Sequence, residues 1–167
     1  MDVAPRLNGT QNSVLAAASR PEALSHVALH AIMLAKRTDM RVSLLLILSG
    51  QEKNSLAQQK EGVAAFRKIR GESRQQGVSI DCRAITGSFV EEVARHLTEL
   101  ESSILIVGEG EDLQRRRREL LTIRKKIEQG PGRRGAAMRH FLIVTKRNRG
   151  MTAGPDQPAG HRPTANS

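Results

Sequence analysis

A chain of 167 residues carries apolar residues enough for a single core and no second folding unit. Its 38% hydrophobic and 26% charged residues describe a globular domain, and three Phe without Trp or Tyr weigh against an aromatic platform for stacking successive bases. The formal charge of +10 is unevenly placed: residues 1–112 hold 13 Lys and Arg against 14 Asp and Glu, a net of −1, and residues 113–167 hold 14 against 3, a net of +11.

The two ends, Met1 to Asn12 and residues 148–167, are rich in Pro, Gly and small polar residues and are expected to be flexible tails around a domain at 13–147. The first strand is expected over Ser13 to Ala18, and a helix over Pro21 to Arg37, with Ser19 placed to cap it. Val42 to Leu48 is a second strand whose near-continuous apolarity suits a position covered on both faces. Asn54 to Gln76 is a second helix, with Leu56, Val63, Phe66 and Ile69 inward and Gly77 as its stop. Val78 to Ile85, Phe89 to Leu100 and Ile104 to Val107 follow as strand, helix and strand. After the loop Gly108 to Asp112, a fourth helix over Leu113 to Gln129 turns Leu113, Leu120, Ile123 and Ile127 inward and its arginines outward. The Gly-Pro-Gly at 130–132 ends it, and His140 to Thr145 is a fifth strand. Strands alternating with helices in this way give an α/β fold with a five-stranded, mostly parallel sheet and helices on both faces.

The apolar run Leu44 to Leu48 is far short of the roughly 20 residues that span a bilayer, so no membrane insertion is expected. The first dozen residues lack a signal-peptide core, and Cys82, the one cysteine, forms no internal disulfide. A cytoplasmic location is the simplest expectation.

From Val14 to Lys146 the chain resembles the universal stress protein domain. The likeness is carried by "VALHAIMLAKRTDMRVSLLLIL" in the first helix and second strand, "ITGSFVEEVARHL" after the third strand, "SSILIVGEGE" at the fourth, and "HFLIV" at the last. It implies the sheet order 3-2-1-4-5 and a ligand crevice where that order reverses, between the first and fourth strands. In the family's nucleotide-binding branch an acid ends the first strand, and a G-x2-G-x9-G-[S/T] pattern follows the fourth. Glycines there let backbone N–H groups approach phosphate oxygens, and the hydroxyl adds a donor.

Ungapped, those pattern positions fall on Gly108, Glu111, Leu121 and Thr122, and Ser19 stands for the strand-end acid. Two glycines are therefore missing, and Glu109, Glu111 and Asp112 place three carboxylates where a triphosphate would lie. A shift of one residue brings in Gly110, and Arg115 or Arg116 folding back offsets the acids. The cofactor-binding candidates are thus Ser19, Gly108, Gly110 and Thr122, with ATP as the ligand to test. The branch that binds no nucleotide is the better fit, and no cofactor is expected.

Other constellations carry less. His26 and His30 have metal-ligand spacing, but Val27 stands where a zinc protease needs Glu, and the pair reads as the flank of a half-buried helix. No serine lies in a nucleophile elbow, and Cys82 reads as a packed strand residue, so an enzyme is not expected. Arg115, Arg116, Arg117 and Arg118 are anion-binding candidates, with a solvated helix face as the plainer reading and non-specific, salt-dependent nucleic-acid binding as the other. Phe141, Leu142, Ile143 and Val144 form an apolar strand at the sheet edge, which pairing with a second copy would cover; the family resemblance implies the same homodimer. The expected function is a dimeric stress-response binding or regulatory module with an unidentified protein partner. The alternatives are an ATP- or anion-binding stress protein with an altered loop, and a nucleic-acid-associated protein using the basic last third.

Overall fold

A computed structural model describes residues 13–50, 55–130 and 140–145. Its elements run β1 (Ser13–Ala18), α1 (Pro21–Thr38), β2 (Arg41–Leu48), α2 (Ser55–Gln76), β3 (Ile80–Thr86), α3 (Phe89–Leu100), β4 (Ile104–Gly108), α4 (Leu113–Gln129) and β5 (His140–Val144). The five strands form one sheet in the order β3-β2-β1-β4-β5, and every neighbouring pair is parallel. Both tails expected at the ends, 1–12 and 148–167, lie outside the described residues.

Central strands need apolar side chains on both faces, and β1 and β2 supply them. Val14, Ala16 and Ala18 join Leu44, Leu46 and Leu48 under α1 and α2, while Leu15, Ala17, Leu45 and Ile47 face α3 and α4. Two apolar layers therefore sandwich the sheet. The small side chains at Ala16, Ala17 and Ala18 are all buried in the middle of this arrangement.

Helix ends follow local chemistry. Asp39 and Gly77 take left-handed backbone, at φ 59° and 73°, just after α1 and α2. Ser88 caps α3, its hydroxyl accepting from the Glu91 N–H, and Asp112 caps α4 in the same way toward Gln114. Ser19 does not cap α1; Arg20 holds that position without a side-chain bond, and Pro21 at the first helical position makes a cap donor less needed there.

Two inward assignments on α2 are corrected: Leu56 and Val63 are exposed, at 66% and 52%. The buried row is instead Gly62, Phe66, Ile69 and Ser73. A Cβ on Gly62 would lie 2.4 Å from Leu46 Cδ2, so the helix backbone presses against β2 at this glycine and the helical phase is set there. Val63, one position on, is turned about 100° from that row.

Candidate functional site

The strand order reverses between β1 and β4, and the crevice at their carboxyl ends is the place where open parallel sheets bind ligands. Ser19 and Arg20 follow β1, Gly108 ends β4 with Glu109 to Asp112 after it, and Phe89 and the first turn of α4 close the sides. The cleft holds about 580 Å³, with Ile47, Ser49, Gln58 and Gly87 also on its wall.

One side chain organises this place. Arg116 is buried, only 4% exposed, and its guanidinium donates to three acceptors on three segments. Nε donates to the Gly108 carbonyl at 3.0 Å, Nη2 to Ser19 Oγ at 2.9 Å, and Nη1 to Glu119 Oε1 at 2.8 Å. Its carbon centre also lies 3.9 Å over the Phe89 ring. Burial pulls the Arg116 pKa down and the Glu119 carboxylate pulls it back, so the group stays a cation in a salt bridge. Gly110 makes room for it: at φ 70° the backbone is left-handed, and a Cβ there would stand 2.5 Å from Arg116 Nη2.

The acids of the loop are engaged as well. Glu111 and Glu22 both pair with Arg20, and Asp112 Oδ1 accepts from the Gln114 N–H at 2.9 Å. The positive end of α4, which would otherwise face a bound anion, thus already holds a carboxylate of the chain itself.

Of the four cofactor-binding candidates, Ser19, Gly108 and Gly110 come together around Arg116. Thr122 does not join them. It lies exposed in the third turn of α4, its hydroxyl donating to the Arg118 carbonyl at 3.1 Å, and the neighbouring Leu121 is 67% exposed. Helix therefore occupies the stretch that the glycine pattern would keep as loop, since α4 already begins at Leu113.

The arginine run also divides. Arg115 pairs with Glu119 at 3.4 Å on the surface, Arg117 and Arg118 face outward, and Arg116 turns in, which corrects the expectation that all four point away from the core. Position 116 is in phase with Leu120, Ile123 and Ile127 on the buried stripe, so the helical period identifies it once Arg is admitted among core-facing residues. Glu119, at i,i+3 spacing on the same helix, and the Phe89 ring complete its surroundings; the spacing signals the first, and nothing in the sequence signals the second.

The remaining candidates have structural partners. His26 Nε2 donates to the Thr145 carbonyl at 3.2 Å, His30 Nδ1 donates to the His26 carbonyl at 3.1 Å, and the rings meet edge to face. Buried His96 sits 2.8 Å from the Glu92 carbonyl through Nδ1. Cys82 is buried on β3, and that burial pushes its thiol pKa up, away from the reactive thiolate. Among the described residues no three His, Cys, Asp or Glu gather as a metal site.

This architecture recurs in solved structures. A universal stress protein family member from Burkholderia pseudomallei superimposes with a TM-score of 0.56 at 18% identity, over 81% of this chain and 98% of that one. The fold is that of universal stress proteins. A universal stress protein from Archaeoglobus fulgidus in complex with dAMP matches at TM-score 0.54 and 13% identity, over 81% and 98% of the two chains. A universal stress protein in complex with cAMP matches at TM-score 0.51 and 14% identity, over 82% and 98%. No family model matches the chain, and no curated protein matches it in sequence. The universal stress protein fold is thus carried here by a sequence whose crevice is tied by its own arginine. No helix among the described residues is long and apolar enough to cross a membrane.

Proposed function

We propose that this chain is a universal-stress-protein-like binding or regulatory module whose crevice binds adenosine phosphates weakly or not at all, and that it is not an enzyme. The observation that carries this reading is the double occupation of the crevice by the chain's own groups. Asp112 fills the α4 N-terminus, and Arg116 commits its donors to Gly108, Ser19 and Glu119. A phosphate entering here meets Glu109, Glu111 and Asp112 and finds the nearest buried cation already bonded. The Ser19 hydroxyl accepts from the Arg116 guanidinium, a cation that does not act as its base.

The second reading, an ATP- or anion-binding protein with an altered loop, is favoured by the cleft of about 580 Å³ and by the fold likeness to proteins solved with dAMP and cAMP. Native mass spectrometry of the freshly purified chain, followed by titration calorimetry with ATP, decides between them. Protein free of nucleotide and no heat of binding at millimolar ATP are expected. One nucleotide per subunit overturns the first reading in favour of the second.

The module is proposed to work as a homodimer through β5. That strand pairs only with β4 among the described residues, and Leu142 is 47% exposed on it. Phe141 and Ile143 pack toward α3 and α4, and Val144 is buried, so Leu142 is the position at which a charge tests the edge without entering the core. Leu142→Lys is expected to convert a dimer to a monomer in analytical ultracentrifugation; a variant that stays dimeric rejects this interface.

A further inference from the structure

The outer face of α4 has no role in the crevice and carries most of the helix's cations. Viewed down the axis, the cations sort by side. On the flank toward α3, Arg115 pairs with Glu119 and Lys126 pairs with Glu91 at 3.0 Å. On the crest and the flank toward β5 stand Arg117, Arg118 and Lys125, all exposed, and among the described residues none of the three has an ion pair or side-chain hydrogen bond. Arg124 borders them, stacked 4.3 Å over the Phe141 ring of β5. Glu128 is the one acid on that side, at the far end of the helix.

We infer that this face of α4 is a docking surface for the phosphodiester backbone of a nucleic-acid duplex, bound without reading of its bases. Three observations select that partner. Arg118 and Lys125 are seven residues apart, about 10.5 Å along the axis at 1.5 Å per residue and within about 20° of one another around it, so the two cations line one exposed face and meet a phosphate strand together. The guanidinium forks of Arg117 and Arg118 suit phosphate oxygens, which a row of ammonium groups would meet only as point charges. A membrane is the poorer match, because Leu120, Ile123 and Ile127 are buried against the sheet, leaving Leu121 as the one large apolar side chain on the outer face to insert between lipids. The face has no aromatic residue and few amide side chains, so base edges find little to read them.

The test is fluorescence anisotropy of a labelled DNA duplex of about 20 base pairs with the full chain, from about 50 to 200 mM salt. Binding is expected to weaken with a log–log slope of about −2.7 or steeper, at about 0.9 for each phosphate neutralised. The triple substitution Arg117→Gln, Arg118→Gln, Lys125→Gln should flatten the slope by about 2.7. The pair Arg115→Gln, Lys126→Gln, which removes cations already paired, should flatten it by much less. Circular dichroism reports whether each variant keeps its helix, for which Gln is a good former. The proposal is overturned by absence of duplex binding at the lowest salt, by a triple variant that keeps the parental slope, or by equal losses in the two variants. Binding to phosphatidylserine vesicles without binding to the duplex overturns it in favour of a lipid surface.

Discussion

Arg116 and Arg118 stand two positions apart on α4 and differ in almost every physical respect. Arg116 lies on the buried stripe with Leu120, Ile123 and Ile127, where its charge is matched by Glu119 and its donors by a carbonyl and a hydroxyl. Arg118 lies about 200° further round, on the solvent face. A run of one residue type therefore splits into a structural cation and surface cations, and helical phase alone makes the division. Net charge counts both kinds equally, so the excess of the last third overstates what is available to a partner by the share that is folded inward.

Substitutions sharpen that contrast. The largest expected effect is Arg116→Ala, which leaves Glu119 with only its surface partner Arg115 and the Gly108 carbonyl and Ser19 hydroxyl without their buried donor; a loss of about 3 kcal/mol in urea denaturation is expected, as for other broken buried pairs. Equal stability of this variant and the parent would remove the distinction between the two faces. Gly110→Ala should cost about 1–2 kcal/mol from the left-handed backbone, plus whatever displacement of Arg116 the new methyl forces. Asp112→Ala removes the α4 cap at a cost of about 1 kcal/mol in the same assay. Arg118→Ala, at the other extreme, is expected within about 0.5 kcal/mol of the parent. An ordering with Arg118 above Arg116 would show that burial is not what separates them.

Much of the fold can be read from the sequence, because the signals are long and mutually consistent. β1 and β2 are apolar on both faces, the helices carry strong starts and stops, and the alternation of elements leaves little choice but a parallel sheet. The edge position of β5 follows from the implied strand order. The errors have particular causes. Leu56 and Val63 read as core because they are apolar, but Gly62, with no side chain, sets the contact with β2, and a pattern search assigns glycine no face. Ser19 reads as a cap because serine precedes a helix, whereas its hydroxyl serves a residue far along the chain at Arg116. Thr122 reads as a phosphate-loop hydroxyl only if α4 starts late, and the helix instead starts at Leu113 behind its Asp112 cap. The crevice was legible as a location and in part as a set of contacts: Gly110 and an inward Arg116 were open to reading, and Glu119 stands at i,i+3 spacing from Arg116, but the approach of Ser19, Gly108 and the Phe89 ring to that arginine is tertiary geometry that spacing does not encode.

The three alanines that end β1 bear on how the molecule opens in time. Ala16, Ala17 and Ala18 sit in the middle strand, paired to β2 on one side and, for the first two, to β4 on the other, under a helical layer on each face. No fraying end or single-layer opening reaches their amides, so deuterium should enter there only when the whole domain comes apart. Those positions are the natural clock for global unfolding, against which every faster-exchanging amide of α4 or β5 marks a local excursion.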